Sequence, residues 1–330
     1  MPTILGIEST AHTFGVAIVR DGKVLSNCKD SYTTDKGGII PIKAAEHHKK
    51  IADKVYHEAL EKSEIKEDGI DAIAFSQGPG LSPCLLEGLH FAKKISKDLG
   101  KPLVPVNHCI AHLEIGRITG AKDPVMLYAS GANTQVIAYA SNKFRIFGET
   151  LDVGVGNFID TFARYAGIGF PGGPEIERLA KRGKKYVDLP YKVKGMDIAL
   201  SGILTNLKQK IEKGENTIED LSYSAQETVF SMLVEISERA LAHTGKKELL
   251  LGGGVACNKR LQEMCKIMCK ERGAKFFCPE NSLLTDNAAM IAFLGEIMFK
   301  SGIKFSRDKA KELDMNPRQR TDEIVVSWRS

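Results

Sequence analysis

The strongest constraint on the fold of this chain is a β-hairpin plan that it carries twice. Residues 4–26 and 126–148 each read as strand, small polar loop, strand, turn, strand. The first copy runs through Ile4-Leu5-Gly6-Ile7, a loop from Glu8 to Thr13, Gly15-Val16-Ala17-Ile18-Val19, a turn at Asp21-Gly22 and Lys23-Val24-Leu25. The second runs through Val125-Met126-Leu127-Tyr128, the loop Ser130-Gly131-Ala132-Asn133-Thr134, Val136-Ile137-Ala138-Tyr139, a turn at Asn142-Lys143 and Phe144-Arg145-Ile146-Phe147. Asp-Gly between two apolar runs is a strong short-range hairpin signal. A repeat spread over the whole chain implies two similar domains rather than one large one.

Helical periodicity fills the space between these strands. Residues 42–63 place Ala45, His48, Ile51, Ala52, Val55 and Ala59 on one face. The strand Asp71-Ala72-Ile73-Ala74-Phe75 leads through Gln77-Gly78-Pro79-Gly80 to a helix over 86–99, and Leu103-Val104-Pro105-Val106 to a helix starting at His108. In the second half, Glu248-Leu249-Leu250-Leu251 before Gly252-Gly253-Gly254 answers the strand and glycine turn at 71–80. A long helix is predicted over 217–243, with Thr217 as its N-cap. Strands alternating with helices give an α/β fold with covered sheets and a ligand cleft at the strand ends. The expected division is an N-terminal domain over 1–122 and a C-terminal domain over 123–330, with a helical insertion at about 155–245.

At 330 residues, 43% hydrophobic and 26% charged, the composition excludes disordered and fibrous classes. No apolar run approaches the roughly 18 residues that span a bilayer, and no basic, apolar leader opens the chain, so a cytoplasmic protein is expected. The formal charge of +5 permits a nucleic-acid partner without demanding one. The run Lys181-Arg182-Gly183-Lys184-Lys185 is either a solvated loop or a polyanion contact. Seven cysteines without a C-x-x-C pair read as reduced, buried thiols.

Three groups of residues carry candidate chemistry. The small loops at strand ends, with Glu8 and His12 in the first, are candidates to approach a phosphate, although none is a Walker A motif. In Asn107-His108-Cys109-Ile110-Ala111-His112, the i, i+4 spacing stacks two imidazoles on one helix face within reach of one ion. Cys109 stands where an H-E-x-x-H protease has its general base. Tyr128 and Asp286 are suitable oxygen donors to such an ion, and a capping or core histidine pair is the alternative. Asp160 and Glu177, around the turn Gly169-Phe170-Pro171-Gly172-Gly173, are suited to ribose hydroxyls or an amine, or else to a helix N-terminal turn.

Taken together these motifs resemble the universal tRNA adenosine threonylcarbamoyltransferases, in the form found as a subunit of archaeal and eukaryotic KEOPS complexes. They were formerly classed as O-sialoglycoprotein endopeptidases. The resemblance spans about Ile4 to Trp328 and rests on Gly6-Ile7-Glu8, Phe75-Ser76-Gln77-Gly78-Pro79-Gly80, the His108–His112 motif, Asn133-Thr134-Gln135-Val136, Phe170-Pro171-Gly172-Gly173-Pro174, Val193-Lys194-Gly195-Met196-Asp197 and Gly253-Gly254-Val255-Ala256. It implies the duplicated fold of the actin, Hsp70 and sugar-kinase ATPases, with two similar domains and a central cleft. It implies one divalent metal, iron(II) or else zinc, on His108, His112, Tyr128 and Asp286. It implies substrate contacts at Tyr128, Ala129, Ser130, Gly131, Ala132, Asp160, Gly173, Glu177 and Asn258.

The implied reaction moves threonylcarbamoyl from threonylcarbamoyl-adenylate to the N6 amine of the adenosine 3′ of the anticodon, in tRNAs reading codons that begin with adenine. The implied partners are tRNA, a small RIO-type kinase, a small dimerisation subunit and a regulatory subunit, with no membrane and no kinase domain appended to this chain. Serine or alanine replaces a family glycine at Ser9, Ala132 and Ala288. The competing readings are a small-molecule kinase or ATPase of the same superfold, binding ATP or AMP, and a non-catalytic nucleotide-binding scaffold.

Overall fold

The two hairpins form as written. Asp21 and Gly22 both take positive φ, 53° and 70°, as the tight two-residue turn between right-twisted strands requires. In the second copy the turn is Ser141-Asn142, at 51° and 59°, one residue earlier than Asn142-Lys143. Lys143 already pairs with Ala140 in the ladder. With no glycine present, the asparagine marks the left-handed position but not which neighbour shares it.

The computed structural model describes residues 1–34, 38–306 and 309–329. Its first sheet contains β1 (Thr3–Glu8), β2 (Thr13–Arg20), β3 (Lys23–Ser31), β4 (Ala72–Gly78) and β5 (Leu103–Asn107) in the order β3-β2-β1-β4-β5. A short ribbon of β9 (Val193–Lys194) and β10 (Asp197–Ile198) follows β6 (Val125–Ala129), β7 (Thr134–Ala140) and β8 (Lys143–Glu149) along the chain. With β11 (Glu248–Gly252) and β12 (Lys275–Phe277), the second sheet reads β12-β11-β6-β7-β8. Each sheet is thus an antiparallel triplet extended by two parallel strands, the duplication expected of an actin-like ATPase fold. In each triplet the third strand carries one extra residue at a register shift.

The central strands are buried on both faces, so their alternation sorts side chains between layers. Ile4 of β1 faces a core between the sheets, while Leu5 and Ile7 face outward onto α1 (Pro41–Ser63) and α2 (Ser82–Leu99). In β6, Met126 and Tyr128 face the central core, and Val125, Leu127 and Ala129 face α4 (Val155–Tyr165), α6 (Ser201–Lys213), α7 (Ile218–Thr244) and α8 (Lys259–Glu271). The short α5 (Gly173–Ala180) packs on α4 and α7.

The central layer is made by α3 (His108–Ile115) and, after the one-turn α9 (Asn281–Leu284), by α10 (Ala288–Lys300). Although α10 follows the second sheet in sequence, it lies against β1, β2 and β4 of the first. That approach is close: a Cβ on Gly6 would stand 2.5 Å from the Ala288 carbonyl oxygen and the Ala292 nitrogen. The helix that begins at His108 and the turn that carries Asp286 therefore meet between the sheets.

Candidate metal centre

His108 follows β5 directly. Asn107 caps α3 by accepting a hydrogen bond from the Ile110 amide at 3.0 Å, and its own amide donates to Gln319 at 3.0 Å. This fixes the first turn, so His108 and His112 project from one face with ring centroids 4.8 Å apart. Both are buried. Asp286 sits one residue before Asn287, which caps α10 through the Met290 amide. The Asp286 Oδ1 lies 3.4 Å from Nε2 of His108 and 3.5 Å from Nε2 of His112. The ligand atoms of all three residues fall within 4.8 Å of one another. Tyr128, on the inward face of β6, lays its ring 5.1 Å from that of His112.

The electrostatics follow from burial and neighbours. Burial opposes the charged form of His108, but Glu8 and Asp286 outweigh it and hold the imidazole well above its ordinary value. Burial, helped by the charge of His108, lowers His112. Burial raises Asp286, yet the two histidines beside it bring it well below the carboxylate range. Burial carries the Tyr128 phenol well above its ordinary value.

These residues fit a metal ion. Both ring nitrogens of His112 are buried without a hydrogen-bond partner, a costly state that a cation at one of them relieves. His108 gives Nδ1–H to Glu8 Oε2 at 3.0 Å, and its Nε2 faces Asp286 Oδ1 at 3.4 Å, where a cation would take the place of the Nε2 proton. A carboxylate behind a ligating histidine fixes its tautomer and orientation. Two imidazoles with oxygen donors suit iron or zinc alike.

Glu8, in the loop expected to approach a phosphate, is fully buried and turned onto His108. Its other oxygen accepts from the Thr10 amide at 2.7 Å and from the Thr10 hydroxyl. His12 stays half-buried at the other end of that loop, edge-on to Phe170 at 5.6 Å. Ala129 ends β6, and Ser130 to Ala132 begin a loop whose Ser130 and Gly131 carbonyls accept from the Gly156 and Asn157 amides at the start of α4.

Asp160, Gly173, Glu177 and Asn258 form a second group, apart from the histidines. Asp160 accepts from the Gly172 amide at 2.8 Å. Burial raises its carboxyl, against the Gly172 bond, His12 and Arg164. Glu177 accepts from the Lys259 amide at 3.3 Å and faces Lys181 at 3.1 Å. Glu175, not Glu177, occupies the first turn of α5. Asn258 caps α8 and donates to Gln226 at 3.0 Å. Gly173 and Asn258 line a small cavity with Phe158, Ile176 and Phe230.

Sequence reasoning missed Lys29. From β3 its ammonium reaches the Thr285 hydroxyl at 2.6 Å and the Asp286 carbonyl at 3.1 Å. Burial lowers its pKa. No local pattern signals a contact between residues so far apart in the chain.

A family model described as tRNA N6-adenosine threonylcarbamoyltransferase matches residues 23–293. A protein of that description from Thermococcus kodakarensis is 53% identical over 324 residues, covering 98% of this chain and 99% of the relative. A Methanosarcina mazei protein, described as a probable bifunctional tRNA threonylcarbamoyladenosine biosynthesis protein, is 51% identical over 98% of this chain but only 59% of its own length. Among solved structures, HypF of T. kodakarensis superposes with a TM-score of 0.63 at 15% identity, over 92% of this chain and 48% of that one. Component A of the (R)-2-hydroxyglutaryl-CoA dehydratase of Acidaminococcus fermentans gives 0.57 at 14%, over 94% of this chain and all of that one. At those identities the two structures share the fold alone.

Proposed function

Because this chain belongs to the tRNA N6-adenosine threonylcarbamoyltransferase family, we propose that it takes its threonylcarbamoyl group from threonylcarbamoyl-adenylate and gives it to the adenosine 3′ of the anticodon. The acceptor tRNAs are those reading codons that begin with adenine. The N6 amine attacks the carbamoyl carbon, the bond from that carbon to the phosphate oxygen breaks, the amine proton is lost and AMP leaves. The observation that carries the reading is the cluster of two buried histidines, His108 and His112, with Asp286, and with Glu8 behind His108.

His108, His112, Asp286 and Tyr128 would hold an iron(II) or zinc ion, which would supply Lewis-acid stabilisation of negative charge on the donor. Glu8 keeps the proton of His108 on Nδ1. Lys29 holds the turn carrying Asp286 in place and adds positive charge beside it. Tyr128 to Ala132 border the donor, and Asp160, Gly173, Glu177 and Asn258 receive its adenosine moiety.

The chain acts in the cytoplasm within a KEOPS-type assembly with a small RIO-type kinase, a small dimerisation subunit and a regulatory subunit. The description of the Methanosarcina relative as bifunctional supports an association of this activity with a second one. Among the described residues no helix is long and apolar enough to cross a membrane.

Elemental analysis of anaerobically purified protein, paired with a transfer assay on unmodified tRNA in the presence of the partners, tests this reading. One equivalent of metal is expected in the wild type and none in a folded H108A/H112A double variant, with transfer falling by at least about a hundredfold. Full metal retention by that variant sinks the metal assignment. Metal-independent ATP turnover on a small acceptor, without transfer to tRNA, supports the kinase reading instead.

A further inference from the structure

The charge of this molecule is concentrated in one place. Residues 161–213 hold 11 Lys and Arg against 5 Asp and Glu, a net +6, while the rest of the chain holds 35 against 36. The excess of positive charge therefore lies between the end of α4 and the end of α6, while α7, on the inner side of this stretch, carries the carboxylates that balance it over 155–245 as a whole. Arg164, Arg182, Lys184, Lys185, Lys192 and Lys194 are all exposed. Among the described residues none of these six has a carboxylate within ion-pairing distance, although Lys181 beside them is paired with Glu177.

Aromatic exposure is concentrated there too. Among the described residues, the exposed Phe, Tyr and Trp side chains are Tyr165, Tyr186 and Tyr191, at 36%, 48% and 51%. All three fall within the basic segment. A solvated loop needs cations, but it does not need tyrosine rings in water.

Nor is this segment a loose loop. It is laid along α7 and tied to it in steps. Asp220 accepts from the Lys184 and Lys185 amides at 2.8 and 2.9 Å. Ser224 accepts from the Val187 amide at 2.7 Å, and Thr228 meets the Tyr186 hydroxyl at 2.8 Å. Glu235 accepts from the Tyr191 hydroxyl, and Arg239 donates to the Gly195 carbonyl. From Asp220 to Arg239 this covers about 28 Å of helix. The ties use backbone groups and phenol hydroxyls, which leaves the lysine ammonium groups outward. Asp188 is the one carboxylate between residues 181 and 195.

The strip also begins at the second group of candidate site residues. Arg164 follows Asp160 by one turn of α4, and Lys181 follows Glu177 by one turn and pairs with it. Resting on the transferase reading above, we propose that residues 181–195, with Arg164 and Tyr165, form the surface that holds the RNA substrate: the cations track its phosphates and the tyrosines meet unstacked bases of a single-stranded loop. Fixed cations gain affinity by releasing condensed counterions, and tyrosine faces stack on any base. A loop whose bases are already splayed out suits such a surface better than a closed duplex. An acidic protein is the other polyanion that could lie here, but the start of the strip beside Asp160 and Glu177 favours the substrate of that site.

The test compares charge-matched double variants of the full chain in its active assembly, with binding of unmodified tRNA followed by fluorescence anisotropy across a salt series. K184A/K185A and K192A/K194A are each expected to weaken binding several-fold. Each should also flatten the slope of log K against log salt by roughly 1.5, near 0.7 to 0.9 for each phosphate left without its cation. K266A/K270A, which removes the same charge from α8, should change neither. In transfer assays KM for tRNA should rise while kcat and metal content hold. Unchanged affinity and slope in the two strip variants, beside an active wild type, overturns the strip and leaves the transferase reading standing. A wild-type assembly that transfers nothing to tRNA overturns the reading itself. Loss of a partner subunit from the strip variants, with tRNA binding and salt slope intact, makes the strip a protein interface and overturns the proposal.

Discussion

The two strand-end loops, residues 8–13 and 129–133, occupy equivalent places in the duplicated fold and do opposite things. Each leaves the first strand of a hairpin, and each backs onto glycines where a side chain has no room. The first is buried and acidic: Glu8, Ser9 and Thr10 are all nearly inaccessible, and Glu8 faces His108. The second is neutral, with Gly131 and Ala132 exposed, and it spends its carbonyls on the start of α4. Duplication supplied one backbone plan twice. A single inward carboxylate sets one copy against a buried histidine, while the other copy, which has none, stays open to solvent.

The supports of the loops differ in kind, and this gives the largest expected effect. A Cβ on Gly156 would stand 2.7 Å from the Gly131 Cα and 2.8 Å from the Ser130 oxygen, both backbone. Nothing there can swing aside, so Gly156→Ala should cost about 3 kcal/mol or more in chemical denaturation. A Cβ on Gly88 meets the Ser9 side chain instead, at 1.8 and 2.8 Å. That clash is removable, because the Ser9 hydroxyl is buried without a partner. Gly88→Ala alone should destabilise, and Ser9→Gly should recover about 2 kcal/mol of the loss in a double-mutant cycle. Equal costs with no coupling would mean that the first loop shifts as a unit and that the contrast is wrong.

Acid should separate the loops next. His48, fully buried on α1, donates from Nε2 to the Ala11 carbonyl of the first loop at 3.0 Å, and its Nδ1 has no partner. Burial is the main cause that lowers its pKa to about 4, with His47 and His12 assisting and the Ala11 bond and Glu8 opposing. The folded value lies below the unfolded value of about 6.5. Between these limits the unfolded chain binds a proton that the folded chain refuses, so stability rises with pH. The contribution is complete above pH ~6.5 and is lost as pH falls through about 4, by about 3 kcal/mol. His48→Gln should remove that part of the profile in denaturation measured at several pH values. An unchanged profile would assign the acid sensitivity elsewhere.

Glu8→Gln sharpens the comparison at the candidate metal centre. The amide keeps the shape but cannot hold an imidazole proton as strongly. Metal affinity, read by competition with a chelator, should fall about 10- to 100-fold, the usual cost of losing a histidine's carboxylate partner. The second loop has no counterpart to mutate, so Ser130→Ala should leave metal affinity where it was. Equal losses from both would show that the loops act on the metal through packing rather than through the carboxylate.

What was readable in the sequence follows the same division between local and distant. The hairpins, the i, i+4 histidines and the Thr217 cap are local patterns, and the structure has all of them. The alternation of β6 also turns Tyr128 inward without help from tertiary structure. The pairing of Glu8 with His108 was hidden, because a glutamate at a strand end looks the same whether it faces solvent or a histidine. The return of α10 to the first sheet was hidden for another reason: residues 288–296 are buried all round, so no apolar stripe says which sheet the helix serves. The reach of Lys29 to Asp286 depends on that return.

The smallest effect is expected at Ala132, in the second loop, where the resemblance implies a glycine. Ala132 is not among the residues with positive φ, so its methyl imposes no left-handed strain. It is exposed, and the bonds from Gly156 and Asn157 are made by the carbonyls of Ser130 and Gly131, not by its own. The loop conformation therefore does not depend on the residue at 132 being glycine. Ala132→Gly should lower stability by about 0.4 to 1 kcal/mol through the looser unfolded chain. It should change the affinity for an adenylate donor analogue by less than about tenfold, or roughly 1.4 kcal/mol, in calorimetry. A much larger gain in affinity would mean that the methyl stands in the path of the ligand. The second loop would then be an impaired ligand border, and its contrast with the first would reflect lost function rather than divided labour.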